Sequence, residues 1–293
     1  MERRTFLTQL ATATLPATLL SAKSEGAPAG FRIGACDWTM KQRTQPEAIA
    51  LAKKIGLDGV EVDVGHPSKD TDPLPLADSA LQKQYLEASK RLNVAIPSLA
   101  MGVLNKIPYK SSQGAARWAE ETLGICKAMD VSTVLMAFFG NGDLAEDPKG
   151  RDEVVKRLKK LSQKAEDAGV TIGIESWLHA DTLIGMLVQI DSPNVKVYYD
   201  TGNMHKAGED IYAAIPKLGR QRICQFHAKD YQDLYGKGNI DFPRVRKAID
   251  AIGYQGWIVI EGTKMPLGIE ESCRYDAKYL RTQFPAVVKT PGS

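Results

Sequence analysis

The sequence predicts a (β/α)8 TIM barrel in the α/β class, formed as a single domain, on three observations. The 293-residue chain is 43% hydrophobic, enough for a full core, and barrels of this size usually form one domain. Eight short apolar runs alternate with eight amphipathic stretches, as strands alternate with helices in a barrel. Four consecutive runs end in Glu175, Asp200, His227 and Glu261, which lie 25, 27 and 34 residues apart, about one strand and helix each.

The first four strand–helix units are marked by apolar runs and by turn residues. We predict strands at 31–38, 59–64, 94–101 and 133–139, followed by helices at about 45–55, 78–92, 113–129 and 151–168. Gly56 and Gly169 directly follow two of these helices, as is typical of a left-handed helix end. The fourth helix has apolar residues at 154, 155, 158, 161 and 165, which is the stripe of an amphipathic helix.

The second half repeats the pattern. We predict strands at 171–175, 195–200, 223–227 and 257–261, with helices at about 181–190, at 211–218, from about 241 and at 269–284. Asp241 is a typical N-cap, and Pro243 fits the first turn after it. An open doubly wound sheet is the alternative fold, but it would typically have a Gly-rich phosphate-binding turn after its first strand. The first strand here ends in Cys36-Asp37-Trp38, so the barrel is favoured.

The N-terminus has the layout of a secretory signal. Arg3-Arg4 precedes a mildly apolar stretch at 10–22, and small residues and proline follow. This arrangement resembles the twin-arginine export signal of bacteria, and its apolar part is too short and polar for a membrane span. We therefore predict a signal peptide at 1–29, a barrel at 30–293 and a periplasmic protein. A disordered basic tail is the alternative.

Charge and cysteine content exclude some classes of protein. The 38 Lys and Arg residues against 35 Asp and Glu residues leave a net charge of +3, which gives little support for nucleic acid as a partner. Cys36, Cys126, Cys224 and Cys273 form no CxxC pair and no metal-ligand spacing. We expect buried free thiols, although an exported protein could pair them in disulfides.

The four residues at the strand ends predict a metal site. The carboxyl ends of barrel strands converge on one face, so Glu175, Asp200, His227 and Glu261 should meet there. Oxygen and imidazole ligands suit one divalent ion, for which we prefer Mn²⁺ over Co²⁺, Mg²⁺ or Zn²⁺. Because no cysteine belongs to the set, a structural zinc site is disfavoured. Any one of the acids could instead be a salt bridge or a helix cap, but four at consecutive strands are hard to obtain by chance.

These motifs resemble the xylose isomerase-like barrel superfamily, the sugar phosphate isomerases and epimerases. The resemblance covers the chain from about residue 31 and lies most specifically in Ile-Glu175-Ser, Tyr-Asp200-Thr-Gly-Asn203, Phe-His227-Ala-Lys-Asp and Ile-Glu261-Gly. It implies a TIM barrel that acts on a carbohydrate. The superfamily also includes ketose 3-epimerases, hydroxypyruvate isomerases, inosose dehydratases and endonuclease IV.

The resemblance also implies roles for the four residues. In the ketose 3-epimerases of this group the metal ligands are Glu, Asp, His and Glu of strands five to eight, which match Glu175, Asp200, His227 and Glu261. The two glutamates are the acid/base pair there, so Glu175 and Glu261 are the predicted catalytic residues. The epimerases have a histidine three residues after the aspartate, where this chain has Asn203, and their arginine in the loop after the histidine has no counterpart here.

Five further residues are candidates for substrate binding. Glu61 in the second strand could accept a sugar hydroxyl near the barrel mouth or form a salt bridge. Trp38 could stack on a sugar ring or serve packing alone. His179 could line the site or cap the next helix, and Lys229 could bind the substrate or pair with an acid. Asn203 completes the set because it occupies the position of the epimerase histidine.

The predicted activity is that of a metal-dependent sugar isomerase or epimerase. A glutamate would remove the proton beside a metal-bound carbonyl, and the reaction would pass through an enediolate. A lyase or dehydratase acting on keto-sugars or cyclitols is the alternative, because it needs the same metal and base.

Two other classes fit the sequence less well. An endonuclease IV-type enzyme needs three zinc ions and more histidines than the four present, and a non-catalytic sugar-binding barrel would be free to lose the acids. The expected partner is a neutral, unphosphorylated sugar or sugar derivative, with no nucleic acid and no membrane span after signal removal. Homo-oligomer formation is left open.

Overall fold

A computed structural model describes residues 30–262 and 264–286. Within this part of the chain eight parallel strands form a closed barrel in sequence order, and β8 pairs with β1 to complete it. The (β/α)8 prediction is therefore confirmed. The strands are β1 (Phe31–Cys36), β2 (Gly59–Asp63), β3 (Leu99–Met101), β4 (Thr133–Phe138), β5 (Thr171–Ser176), β6 (Val195–Asp200), β7 (Ile223–Ala228) and β8 (Gly256–Ile260).

Helices follow the strands and form the outer layer. They are α1 (Glu47–Ile55), α2 (Ser79–Leu92), α3 (Gln113–Ala128), α4 (Pro148–Ala168), α5 (Ala180–Ile190), α6 (Thr201–Lys206), α7 (Ile211–Leu218), α8 (Phe242–Ala251) and α9 (Ile269–Gln283). Gly56 and Gly169 end α1 and α4 in the left-handed conformation, as predicted. The Asp241 carboxylate accepts a hydrogen bond from the backbone N–H of Arg244 and so caps α8.

Two elements differ from the sequence prediction. The third strand covers only Leu99–Met101, whereas 94–101 was predicted. Pro97 has no N–H to give to a ladder, and Ala95 makes only an isolated bridge with Gly59. The short helix α6 was not predicted; it starts directly after β6, where the Asp200 carboxylate caps its first turn.

Most of the apolar side chains form one core between the barrel and its helices. A smaller apolar cluster inside the barrel contains Ala100, Leu135, Ala137 and Tyr198, and it lies beneath the mouth. The four cysteines are free thiols in the strands and helices predicted for them, and only Cys224 is not fully buried. The core thus stabilises the barrel without cross-links.

The predicted signal peptide at 1–29 lies outside the described residues. Among the helices of the described chain, none is both long enough and apolar enough to span a membrane.

Candidate functional site

The four residues predicted to bind a metal meet at the carboxyl end of the barrel. Glu175 and Asp200 lie at the ends of β5 and β6, His227 lies in β7, and Glu261 directly follows β8. Asp200 and His227 are direct register partners across β6 and β7. One ligand-type atom from each of the four residues lies within 4.8 Å of those of the other three. The consecutive strands thus bring three carboxylates and one imidazole to a single point.

Asp200 uses its two carboxylate oxygens differently. Oδ1 accepts a hydrogen bond of 2.6 Å from the backbone N–H of Asn203 and so begins α6. Oδ2 is buried and has no hydrogen-bond partner among the described residues. A buried carboxylate oxygen without a donor costs free energy unless a cation or a proton satisfies it. Oδ2 is therefore suited to bind a metal ion.

His227 is fully buried and presents its two ring nitrogens to opposite sides. We call Glu175, Asp200, His227 and Glu261 the quartet. Nδ1 faces the carboxylates of the quartet, at 3.0 Å from Glu175 Oε1 and 3.4 Å from Glu261 Oε2. Nε2 lies 3.0 Å from Oε1 of Glu61, which is deeper in the barrel. Metal-binding histidines almost always donate their second N–H to a carboxylate, a carbonyl or water. With the proton on Nε2, the Nδ1 lone pair points to the candidate metal position.

Glu61 therefore lies beneath the site and not at its mouth. Its Oε2 accepts hydrogen bonds of 2.5 Å from both Ser98 Oγ and the Tyr198 hydroxyl. The side-chain amide of Gln225 donates to both of these hydroxyl oxygens and closes the network. Glu61 is completely buried and does not line the cavity, so the structure does not bring it to the place where the predicted contact with a sugar would be made. Its position indicates instead that it orients His227.

Trp38 and Lys229 both hold Glu261. The indole N–H of Trp38 donates to Glu261 Oε1 at 3.1 Å, and the Lys229 ammonium donates to Oε2 at 2.8 Å. Lys229 also lies 3.8 Å from Asp200 Oδ2. Both residues line the central cavity, and their contact with a substrate stays a prediction. Their contacts fix the orientation of one predicted catalytic carboxylate.

Asn203 holds the other predicted catalytic carboxylate. Its side-chain amide donates to Glu175 Oε1 at 3.2 Å, and its Oδ1 accepts a hydrogen bond of 2.5 Å from the Tyr231 hydroxyl. Asn203 and Tyr231 both line the cavity. Tyr231 was not predicted from the sequence, because it lies in an irregular loop after β7 without a recognisable motif.

The buried acids of the site differ in proton affinity. Burial raises the pKa of Glu175 above its ordinary value and that of Asp200 well above it. Burial acts in the same direction on Glu261, but Lys229 and His227 outweigh it, and the pKa of Glu261 lies well below its ordinary value. Of these three carboxylates, Glu261 therefore has the lowest affinity for a proton.

Glu175 and Glu261 line a cavity of about 450 Å³, which is in the size range of small-molecule sites. On the β2 side, Arg43 Nη1 lies 2.6 Å from Asp63 Oδ2 and 2.8 Å from His66 Nε2. Gly102 faces this trio, and a Cβ atom there would lie only 2.7 Å from Asp63 Oδ2. Arg43, Asp63, His66 and Gly102 all line the cavity. Arg43 could not be assigned to the site from the sequence, because it lies in an irregular loop after β1.

His179 does not reach the central cavity. Its side chain is 55% exposed, with Nδ1 3.3 Å from Glu209 Oε2 and Nε2 2.9 Å from the carbonyl oxygen of Ala207. It lines a second cavity beside Trp177. It occupies the N-cap position of α5 without a side-chain capping bond. The structure therefore does not bring His179 into the central cavity, and substrate binding by His179 stays a prediction.

The donor set of the quartet fits a divalent ion. Three carboxylates and one imidazole are hard or borderline ligands, Asp200 Oδ2 lacks a partner, and Glu61 fixes the second nitrogen of His227. Cys36, Glu61 and His227 form a second group of ligand-type atoms. There the carboxylate already accepts hydrogen bonds from protein groups. The quartet is therefore the better candidate for a metal centre.

Comparison with known proteins agrees with this architecture. Two related sequences are SgbU of Escherichia coli (strain K12), a provisionally assigned L-ribulose-5-phosphate 3-epimerase, and an inosose dehydratase of Lacticaseibacillus casei. SgbU is 25% identical over 250 residues, which cover 75% of this chain and 84% of that protein. The inosose dehydratase is 24% identical over 269 residues, which cover 77% and 84%.

Solved structures show the same fold. The 3-keto-D-glucoside 4-epimerase YcjR from E. coli superposes with a TM-score of 0.71 at 17% identity, covering 86% of this chain and 99% of that one. The IolI protein with a bound zinc atom superposes with a TM-score of 0.69 at 19% identity, covering 88% and 100%. A family model of xylose isomerase-like TIM barrels matches residues 49–283. The chain belongs to the xylose isomerase-like TIM barrel family.

Proposed function

We propose that this protein is a divalent-metal-dependent isomerase or epimerase of carbohydrates. The proposal rests on one observation: two oriented carboxylates, Glu175 and Glu261, line a cavity of about 450 Å³ and converge there with Asp200 and His227. The relatives named as a sugar epimerase and an inosose dehydratase support a carbohydrate-modifying enzyme. The quartet would hold the ion.

A divalent ion at this position would polarise a carbonyl of the substrate and stabilise the negative charge that develops when a neighbouring C–H loses its proton. The chain's own residues supply the proton transfers. Glu175 and Glu261 come from strands three places apart in the barrel. One of them removes the proton beside the carbonyl, and the other returns a proton from the opposite side, which inverts the carbon centre.

The neighbours of the two glutamates prepare them for this role. Trp38 and Lys229 hold both oxygens of Glu261, and Asn203 holds one oxygen of Glu175. Such fixed carboxylates lose little conformational freedom when the substrate arrives. Part of the remaining cavity wall is apolar, which limits the access of water to a reactive intermediate.

A lyase or dehydratase is the second candidate function. It is favoured by the inosose dehydratase of L. casei, whose similarity extends over 77% of this chain. The same base would remove the proton, but a hydroxyl group on the next carbon would then leave as water. The departing hydroxyl needs a proton donor, and the Lys229 ammonium on the cavity wall could supply it.

The substrate that we propose is an unphosphorylated sugar or sugar derivative. Arg43 at the rim is already paired with Asp63, so its charge is largely compensated within the protein. This proposal agrees with the predicted export through the twin-arginine route, which stays a prediction. A strong preference for a phosphorylated sugar over its neutral form would contradict it.

Deuterium uptake from D₂O tests the proposed function. The Mn²⁺-loaded protein is incubated with a panel of keto-sugars and cyclitol ketones, and the products are analysed by mass spectrometry and NMR. We expect deuterium at the carbon beside the carbonyl, with a new epimer for an epimerase or the loss of water for a dehydratase. Absence of deuterium from every compound would overturn the proposal.

Two variants locate the proton transfers. Glu175→Gln and Glu261→Gln should each lower the exchange rate by about 10²- to 10⁴-fold, the usual contribution of a general acid or base. Glu120→Gln is the matched control, because Glu120 pairs with Lys164 in an exposed ion pair. Full exchange activity of Glu261→Gln on the true substrate would remove Glu261 from this role.

A further inference from the structure

A second cavity adjoins the central one and shares Trp177 with it. Its volume is about 490 Å³, similar to that of the central cavity. Trp177 lines both, and the other side of the second cavity is formed by Glu146, Thr182 and Lys206, among others. Trp177 follows Glu175 by two residues, which corresponds to about 7 Å of extended chain. A substrate seated over Glu175 could therefore extend past Trp177.

The environment of Trp177 is suited to a ring. Phe139 packs edge-on against the indole, with ring centroids 5.1 Å apart, and the Lys206 ammonium lies 5.5 Å from its centroid. The indole Nε1 is buried and has no hydrogen-bond acceptor among the described residues. A tryptophan offers a broad apolar face together with one polar N–H, and buried indoles usually find an acceptor for it. The apolar part of Trp177 can pack against a ligand ring, because Trp177 lines the cavity.

The charges of the second cavity select against an ionic ligand. Glu146 contributes one negative charge, and Lys206 contributes one positive charge. His179 is already engaged by the Ala207 carbonyl and by Glu209. The remaining surface offers an aromatic side chain, the Thr182 hydroxyl and short apolar groups. This combination fits an uncharged ring with hydroxyl or ether oxygens.

We propose that the cavity beside Trp177 is a subsite for the second ring of a glycoside whose first ring occupies the central cavity. This inference rests on the proposed function and names its substrate class: a carbohydrate joined through a glycosidic oxygen to another uncharged ring. That ring is either a second sugar or an aryl group. The first ring is placed over Glu175 and Glu261, and the second packs against Trp177.

The test compares ligands with one ring and with two. The Mn²⁺-loaded protein is titrated calorimetrically with methyl β-D-glucopyranoside, phenyl β-D-glucopyranoside and cellobiose, and with the 3-keto form of each. We expect at least one extended glycoside to bind at least tenfold more tightly than its methyl counterpart. A gain for cellobiose identifies a sugar subsite, and a gain for the phenyl glycoside alone identifies an aryl subsite.

Thr182→Trp fills the second cavity from α5 and should bring the affinity for the extended ligand down to that for the methyl glycoside. Gln189→Trp places the same ring at an exposed position of α5 that does not line the cavity, and it should keep the tenfold difference. Circular dichroism and thermal unfolding verify that both variants fold. Equal affinities for extended and methyl glycosides, or an undiminished difference in Thr182→Trp, would overturn the subsite. Failure of the 3-keto compounds to exchange a proton in D₂O would count against the proposed function and leave the affinity comparison valid.

Discussion

Replacing Glu61 by glutamine tests whether the carboxylate beneath His227 sets the metal affinity. One oxygen of Glu61 faces His227 Nε2 at 3.0 Å, and the other accepts bonds from the hydroxyls of Ser98 and Tyr198. Glutamine keeps the shape of the side chain but offers only one acceptor oxygen. If this oxygen serves the two hydroxyls, the amide NH₂ faces the imidazole. The histidine proton then moves to Nδ1, the atom that should bind the metal.

The magnitude follows from the role of the residue. Loss of the group that orients a metal-binding histidine typically lowers metal affinity by about 10- to 100-fold, which corresponds to roughly 1.4 to 2.8 kcal/mol. If the amide oxygen turns toward His227 instead, the mismatch falls on the hydroxyls of Ser98 and Tyr198. That arrangement would destabilise the fold by about 1–3 kcal/mol. The variant should therefore lose metal affinity, stability or both.

The assay is calorimetric titration of the metal-free protein with Mn²⁺, together with urea unfolding in the presence of a chelator. Asp37→Asn is a suitable control. Its carboxylate is also buried in the barrel, but it accepts hydrogen bonds from the backbone N–H groups of Thr44 and Asp63 and has none with His227. Metal affinity within twofold of the parent in Glu61→Gln, without loss of stability, would refute the assigned role.

Three further predictions concern the rim, the core and the metal. Gly102→Ala places a methyl group 2.7 Å from Asp63 Oδ2 and 3.1 Å from His66 Nε2. It should raise KM by about tenfold and leave Mn²⁺ affinity unchanged. An unaltered KM would exclude the group of Arg43, Asp63 and His66 from substrate binding. Burial raises the pKa of Asp276 to about 7. Between about pH 4 and pH 7 the native state therefore holds a proton that the unfolded chain has released. The free energy of unfolding should fall by up to about 4 kcal/mol as the pH rises through this window. Asp276→Asn should flatten this dependence in urea unfolding between pH 5 and 8, and parallel curves would contradict it. Chelation of a metal present at 100 times its Kd should remove about 2.7 kcal/mol of stability and lower Tm by roughly 5–10 °C, whereas an unchanged Tm would indicate that no metal was bound.

The position of the candidate metal site could be predicted from the sequence because parallel strands constrain it. Residues at the ends of consecutive strands must lie on the same rim of a closed barrel, whatever their side-chain conformations. The spacing of Glu175, Asp200, His227 and Glu261 therefore sufficed to bring them together. No knowledge of loop conformation was needed.

The depth of a residue within the barrel could not be predicted in the same way. Glu61 and Asp63 lie two positions apart in β2, so both point to the same side of the strand. Asp63 reaches the cavity, whereas Glu61 lies below His227. The difference depends on how far β2 is shifted along the barrel axis relative to β7, which results from the stagger of all eight strands. The local sequence of β2 does not contain this information.

The charges of the candidate centre explain why a divalent ion suits it. With His227 neutral, Glu175, Asp200 and Glu261 provide three negative charges when ionised and Lys229 provides one positive charge, so two negative charges remain. Burial raises the pKa values of Glu175 and Asp200 and outweighs the nearby cations, whereas Lys229 and His227 hold the pKa of Glu261 well below its ordinary value. A divalent ion and protons therefore compete for the same oxygens. Metal binding should release protons from Glu175 and Asp200, and the ionised Glu175 can then accept a proton from the substrate.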